Sequence, residues 1–384
     1  MKLTNILYLV DDIYSSRGGT EQHLLWLLKN IPDDEFEKHF IIFSTLWHPE
    51  TFNPQQKPLV LGQKFGLGNL SWFRRLCFLS RYIRDHKIEL IQAFSPKGEL
   101  AAVLAAWLAG LGTVVIGNRR DCGYDRRFMY RWIFWLTKKF GIKYIANSEA
   151  ARQAAFHNDK SRLESITVIR NPIAFDWIQA GLSEPLTRDE LPNFDDKSGG
   201  KIVGMVATVR PIKDYTTLIR SVKIVLAKCP DTWFLFVGES DSAHKRELLQ
   251  LAEREKVSER IIWFGGIDNP LKIVTLFDVA VLSSHSESFS NSVLEYAAAA
   301  KPIVISDVGG LGEIIQDGES GFVVPPENPN AMAEKIIQLL ENTELAQKLG
   351  KNAKELTAQN YNEQKILKQY INYYRQLLET HFVH

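Results

Sequence analysis

Glu287 and Glu295 stand with seven residues between them in the run Ser283-Ser284-His285-Ser286-Glu287-Ser288-Phe289-Ser290-Asn291-Ser292-Val293-Leu294-Glu295. Ser290 and Asn291 are residue types that cap helices, and the chain from Val293 continues as helix into a run of alanines. Glu287 therefore falls on a loop, and Glu295 about one turn inside the helix. The first N–H groups of such a helix, around Asn291, Ser292 and Val293, have no intrahelical acceptor and form an anion site. Carboxylate acceptors for sugar hydroxyls would then lie beside donors for phosphate. A capped helix with two solvated glutamates would show the same spacing.

A second cluster, Val209-Arg210-Pro211-Ile212-Lys213-Asp214, follows a β-branched run. Arg210 could grip a diphosphate with its planar fork and Lys213 as a point charge. A surface loop with solvated cations is the plainer reading. A third cluster, Ser15-Ser16-Arg17-Gly18-Gly19-Thr20-Glu21, puts paired glycines ahead of a helix, where backbone can approach a ligand closely. It is not the Gly-x-Gly-x-x-Gly dinucleotide pattern. No Asp-x-Asp triplet occurs, which argues against a metal held by that device. Two glutamates alone also suit glycoside hydrolysis, but that reaction leaves the cation pair and the glycine loop without a use.

The elements that must position these residues alternate along the chain. Apolar runs at 6–10, 40–44, 90–94, 113–116, 144–146 and 166–169 predict one set of strands. Runs at 202–208, 233–237, 261–264, 279–282, 303–305 and 322–324 predict a second. Helical patterns separate them, and the strands are continuously apolar, as in parallel sheets covered on both faces. The fold class is α/β, with two doubly wound halves and ligands at the carboxyl ends of the strands. Residues 1–181 form the first half and 201–360 the second. The Pro-, Asp- and Ser-rich stretch 182–200 reads as a flexible linker, and 361–384 as a final amphipathic helix.

Composition narrows the class further. With 384 residues, 45% of them hydrophobic, and a net charge of +1, the chain has no global footprint for nucleic acid. Three isolated cysteines suit a reducing cytoplasm rather than a disulfide scaffold. The first ten residues read as a buried strand rather than a signal peptide. The uncharged stretch 100–117 is broken by Gly110 and Gly112, and reads as a buried helix followed by a strand. Stretches 72–84 and 126–139 mix aromatics with cations at helical spacing, which fits either a packed face or contact with an anionic membrane surface.

Taken together, these motifs resemble the retaining, nucleotide-sugar-dependent glycosyltransferases of the GT-B fold, specifically family four. The resemblance rests on Glu287 and Glu295, on Arg210 and Lys213, on Lys301-Pro302-Ile303-Val304, and on Gly309-Gly310 before Glu313. It continues through Asp317-Gly318-Glu319-Ser320-Gly321-Phe322-Val323-Val324-Pro325, and in the first half through Gly18-Gly19, Asn147-Ser148 and Arg170-Asn171-Pro172-Ile173. It spans essentially the whole chain, and the order of the motifs is more specific than any one of them.

The resemblance implies transfer of a sugar from a nucleoside-diphosphate donor to a saccharide or lipid-linked acceptor, in polysaccharide, lipopolysaccharide or glycolipid assembly. Glu287 would contact the donor sugar, Glu295 the ribose, and Arg210 and Lys213 the diphosphate. Gly18 and Gly19 would close on the donor from the other half, and the backbone near Gly265 would line the base pocket. No metal or other cofactor is implied, and the final helix would pack back toward the first domain. The expected location is cytoplasmic, at the inner face of a membrane where the aromatic-basic helices make contact. Two departures stand out: Ser288 replaces the family's usual glycine, and Gly117-Asn118-Arg119-Arg120-Asp121 stands where relatives often carry a histidine. Arg119, Arg120 and Asp121 thereby become the acceptor-side candidates. Rival readings are a nucleotide-sugar epimerase of the same architecture and a non-catalytic nucleotide-sugar-binding module.

Overall fold

The apolar runs become two all-parallel sheets in the computed structural model, which describes residues 3–11, 18–43, 58–61, 70–122, 128–159, 161–194, 199–239 and 242–382. The chain divides into two units, Met1–Asn171 with Gln364–His384, and Pro172–Glu363. The first unit holds strands β1 (Thr4–Val10), β2 (Phe36–Ile42), β3 (Leu59–Val60), β4 (Leu90–Ala93), β5 (Val114–Arg119), β6 (Lys143–Ala146) and β7 (Ile166–Val168) in the order β3-β2-β1-β4-β5-β6-β7. Helices α1 (Gly19–Asn30), α2 (Leu70–Asp85), α3 (Pro96–Ala109), α4 (Phe128–Lys138) and α5 (Glu149–Asp159) cross between them. The two-residue β3 carries no pattern of its own in the sequence and exists only by pairing with β2.

The uncharged stretch 100–117 folds as α3 and β5. Ser95 caps α3 by accepting from Gly98 N (3.1 Å), and Gly110 ends it with φ at 70°. No helix among the described residues is long and apolar enough to cross a membrane.

The second unit opens with α6 (Phe175–Ser183) and builds β8 (Lys201–Val206), β9 (Thr232–Val237), β10 (Ile261–Gly265), β11 (Val279–Leu282), β12 (Ile303–Ser306) and β13 (Phe322–Val324). Their order is β10-β9-β8-β11-β12-β13. The covering helices are α7 (Tyr215–Leu226), α8 (Ser242–Arg254), α9 (Leu271–Val274), α10 (Asn291–Ala298), α11 (Pro329–Glu341) and α12 (Thr343–Asn360). All six residues of β9, Thr-Trp-Phe-Leu-Phe-Val, are buried, as a central strand with both faces covered requires.

The domain boundary corrects the sequence reading. The chain passes between units at Asn171–Pro172, not within 182–200. Helix α6 is fixed to the second unit because Asn269 Nδ2 donates to Trp177 O (2.9 Å) and Lys272 pairs with Glu184 (2.6 Å). Part of the expected linker is also packed: Leu191 is buried, and Arg188 Nη1 donates to Gly200 O (2.9 Å). Turn-forming composition marks irregular backbone, but irregular backbone can still be anchored.

The last helix, α13 (Glu363–Phe382), belongs to the first unit from Gln364 onward. Its buried face carries Ile366, Tyr370, Tyr373, Tyr374 and Leu377. Polar contacts set its register: His23 Nε2 with Tyr370 OH (2.8 Å), the Tyr374 hydroxyl donating to Gln92, and Arg375 gripping Glu35 with two contacts of 2.6 and 2.5 Å.

Arg119 departs from its expected place on a loop. Strand β5 runs through it, and its side chain is 2% exposed, paired at 2.5 Å with a Glu99 that is fully buried. The guanidinium lies 4.2 Å from the Phe134 ring centroid and 4.1 Å from that of Tyr144. Burial pushes the Glu99 carboxyl up, and Arg119 pulls it back. Arg119 is therefore a structural cation and is withdrawn from the acceptor-side candidates. Arg119→Ala leaves a buried carboxylate uncompensated and should cost about 3–5 kcal/mol. The melting temperature should fall by about 10 °C. The volume-matched double change Glu99→Leu with Arg119→Met should melt close to wild type. Loss of function at an unchanged melting temperature in Arg119→Ala would return the residue to the functional list.

Candidate functional site

The second sheet reverses its winding between β8 and β11: β9 and β10 lie on one side of β8, and β11 to β13 on the other. Strand β11 pairs with β8 only at Val203 and Gly204, so the two strands part toward their carboxyl ends. Such a parting is where doubly wound sheets hold ligands. The backbone that it strands is satisfied by tyrosines. Val206 N donates to Tyr296 OH (2.6 Å), and Tyr215 OH donates to Ala207 O (2.7 Å).

The loops flanking this crevice carry the expected charges. After β8, Pro211–Lys213 form a single 3-10 turn, and Asp214, at φ 43°, caps α7 by accepting from Thr217 N (3.1 Å). Lys213 Nζ pairs with the Glu287 carboxylate from the loop after β11, with the two side chains 21% and 10% exposed. Ser284 Oγ donates to the same Glu287 oxygen at 3.1 Å. The loops are also joined by backbone, His285 N donating to Ile212 O (2.9 Å), and by Ser283 Oγ donating to Asp214 O (3.0 Å). His285 lies within ion-pair range of Asp214 (3.7 Å) and of Glu327 (3.2 Å). Arg210 is exposed, and its side chain has no hydrogen-bond or ion-pair partner among the described residues.

Glu295 sits in α10, as the capping pattern predicts, and is 6% exposed. Its Oε1 accepts from the indole Nε1–H of Trp177 at 3.2 Å. Burial pushes the Glu295 carboxyl up to about 7, and the Trp177 hydrogen bond pulls the other way. The helix N-terminus corrects the expectation in part. Ser290 Oγ already accepts from Val293 N (3.4 Å), so Val293 is engaged in the cap, while Asn291 and Ser292 open the helix.

Gly265 ends β10 on the same edge with φ at 83°, and a side chain there would meet nothing within 4 Å. That combination leaves open space over a backbone conformation that favours glycine. Its carbonyl accepts from Gly238 N at 2.6 Å.

In the first unit, Gly18 and Gly19 open α1 after β1. Arg120 follows β5 on the same edge, and its Nη2 donates to Asn171 Oδ1 (2.7 Å) and lies 3.4 Å from Gly19 O. The structure thus brings Gly19, Arg120 and Asn171 together and leaves Arg119 in the core. Asp121 is exposed beside them, and Ser15 to Arg17 fall outside the described residues. Among the described residues, no group of three or more His, Cys, Asp or Glu is placed to hold a metal ion.

Sequence reasoning missed Trp177, and gave Asp214 and His285 no role. No local pattern marks Trp177, because its partner lies 118 residues away. The other two stood inside the singled-out clusters, and only contact between the loops assigns them. Chemically, the crevice offers a free guanidinium, a lysine shared with a carboxylate, a helix start and a buried carboxyl.

Models of two families match the chain, "Glycosyltransferase Family 4" over residues 17–177 and "Glycosyl transferases group 1" over residues 187–356. An uncharacterized glycosyltransferase of Methanocaldococcus jannaschii, MJ1178, is 38% identical over 353 residues, 90% of this chain and 91% of the relative. The putative glycosyltransferase EpsD of Bacillus subtilis is 30% identical over 319 residues, 80% of each chain. The N,N'-diacetylbacillosaminyl-diphospho-undecaprenol alpha-1,3-N-acetylgalactosaminyltransferase of Campylobacter jejuni is 25% identical over 342 residues, 84% of this chain and 86% of the relative. Among solved structures, Anabaena Alr3699/HepE in complex with UDP and glucose superposes with a TM-score of 0.81 at 19% identity, covering 96% of this chain and 99% of that one. This likeness establishes the GT-B fold. None of these comparisons supports an epimerase.

The raised Glu295 carboxyl has a consequence for stability. The folded value of about 7 lies above the unfolded 4.5, so the group's stabilising contribution is complete below pH 4.5 and is lost as pH rises through 7. At pH 8 the ionised carboxylate then costs the unliganded protein up to about 3 kcal/mol. Glu295→Gln, neutral at every pH, should melt several degrees above wild type at pH 8, with the gap closing by pH 5. Calorimetric melts across that range test this; a gap independent of pH would overturn it.

Proposed function

The chain belongs to glycosyltransferase family four, and from that premise we propose that it moves a hexosyl group from a nucleoside-diphosphate donor to a saccharide or lipid-linked acceptor. The reading includes retention at the anomeric carbon and no metal or other cofactor. It places the enzyme in assembly of a polysaccharide, lipopolysaccharide or glycolipid. The single observation that carries the donor assignment is the pairing of Lys213 with Glu287 beside the unpaired Arg210, at the parting of β8 and β11.

In this reading the leaving diphosphate gathers negative charge as the sugar C1–O bond breaks, and both electrons go to the phosphate oxygen. Arg210, Lys213 and the start of α10 at Asn291 and Ser292 meet that charge with preorganised donors. Glu287 accepts from sugar hydroxyls and holds Lys213 in place before the donor arrives. Glu295 accepts from the ribose, and the open backbone at Gly265 faces the base. Anabaena Alr3699/HepE was solved with UDP and glucose, which supports a uridine nucleotide as the first donor to try. Gly18, Gly19, Arg120 and Asp121 are assigned to the first unit's share of substrate binding.

For the acceptor, the reading leans on the surface of the first unit and on the Campylobacter relative, whose name specifies a diphospho-undecaprenol acceptor. Phe73 (57% exposed), Trp107 (67%), Trp132 (55%) and Trp135 (52%) stand out from α2, α3 and α4. Arg74, Arg75, Arg81, Arg84, Lys138 and Lys139 are interspersed, and Lys139 Nζ sits 3.9 Å over the Trp135 ring. Aromatics with cations suit the headgroup layer of an anionic membrane on the cytoplasmic side.

Release of free nucleoside diphosphate from a panel of UDP- and GDP-sugars tests the donor half. Arg210→Ala should cut turnover by about 10²-fold with an unchanged melting temperature. Lys213→Ala should lose as much and also melt lower, because it strands the largely buried Glu287. Near-normal turnover in both variants would sink the diphosphate assignment. For the membrane half, the protein should sediment with vesicles of anionic phospholipid and not with neutral ones, and Trp132→Ala with Trp135→Ala should weaken this severalfold. Equal recovery with both kinds of vesicle would remove membrane contact from the reading.

A further inference from the structure

We propose that Trp177 is a positioning residue for nucleotide binding: its indole N–H fixes one oxygen of the Glu295 carboxylate, leaving the other to accept from ribose hydroxyls. The inference rests on the assignment of Glu295 to the ribose.

Indole is a donor only, so the polarity of the 3.2 Å contact is settled: Trp177 donates and Glu295 Oε1 accepts. Glu295 Oε2 has no partner among the described residues. Trp177 is itself anchored, because its carbonyl accepts from Asn269 Nδ2 (2.9 Å) and Asn269 Oδ1 accepts from Leu271 N (3.1 Å). Helix α6 also lies hard against α9: a Cβ added at Gly181 would fall 2.4 Å from Leu271 Cβ. The donor therefore comes from a fixed backbone rather than a loose side chain. Packing alone does not need it, since phenylalanine would fill most of the same space.

The electrostatic setting makes this one hydrogen bond consequential. Burial raises the Glu295 carboxyl, and Trp177 is the influence that opposes it. No cation acts on this carboxyl among the described residues. From its own helix it is felt by the Tyr296 hydroxyl, which is engaged with Val206 and also feels Glu287. Without the indole, more of the carboxyl is protonated near neutral pH, and a neutral carboxyl is a weaker acceptor for a sugar hydroxyl than the carboxylate. The ionised form is the binding form, so affinity rises as pH passes through the titration of Glu295.

The test is calorimetric titration of uridine diphosphate and guanosine diphosphate between pH 5.5 and 8.5. For the nucleotide that binds, wild-type affinity should rise with a midpoint near 7. Trp177→Phe should bind about tenfold more weakly at pH 7, with its midpoint moved to higher pH; a carboxylate's hydrogen bond has about this strength. In a Glu295→Ala background, Trp177→Phe should add no further loss, since the two act as one unit. A wild-type measurement covers the case of a poorly folded variant. One of the nine tryptophan indole N–H signals should titrate with the same midpoint and stop doing so in Glu295→Gln. If Glu295→Ala weakens binding and Trp177→Phe leaves affinity and midpoint unchanged, the Trp177 inference alone falls. An equal loss from Trp177→Phe in the Glu295→Ala background also overturns it, as does a set of indole signals that do not titrate. If Glu295→Ala binds as tightly as wild type, the ribose assignment falls and this inference with it.

Discussion

All six strands of the second sheet run the same way, so every loop that follows a strand leaves on one edge, and the winding reverses once on that edge, between β8 and β11. Nearly everything proposed for this enzyme depends on that constraint. Because β11 stays with β8 for only two residue pairs, the strand ends separate and two loops face each other. Arg210 and Lys213 arrive on one loop and Glu287 on the other. Glu295 follows in the helix that the second loop feeds. The buried tyrosines at 215 and 296 make the separation tolerable, since backbone groups without a strand partner would otherwise sit buried and unpaired.

The protein keeps charge out of water in three ways, and the differences separate structure from function. Glu99 and Arg119 pair with each other in the core, with two aromatic rings packed on the guanidinium. Lys213 and Glu287 also compensate each other, but at the edge of the sheet, where in the proposed reading a diphosphate claims the lysine and a sugar hydroxyl the carboxylate. Among the described residues Glu295 meets no cation and one neutral donor, so its burial is only partly offset, and its carboxyl is raised as a result. Incomplete satisfaction of a buried acid is costly in an unliganded protein, and it is a reason to expect a ligand there.

The α/β class, all of the described parallel strands except β3 to within a few residues, and the capped helix that carries Glu295 were legible in the sequence. These features are local: apolar periodicity, turn-forming residues and N-caps act within one element, so their signals lie within a short window. The order of motifs was legible too, because family resemblance survives in spacing. The division into units was less so. Residues 182–200 have a linker's composition, yet Leu191 and Arg188 pack onto the second unit, and the crossing point moves back to Asn171–Pro172. Composition reports how backbone bends and does not report what holds it.

What tertiary structure alone decided is the state of each charged group. Arg119 and Arg120 are neighbours of identical type. One is in the core with Glu99, while the other reaches Asn171 across 51 residues of sequence. Lys213 meets Glu287 across 74 residues, and Trp177 meets Glu295 across 118. Burial and pairing are properties of neighbours that only folding supplies, whereas strand, helix and turn are properties of the chain itself. The sequence by itself therefore determined the frame and which residues stand at its loops. The packing of distant segments decided which of them are exposed, which are neutralised, and which are left poised for a ligand.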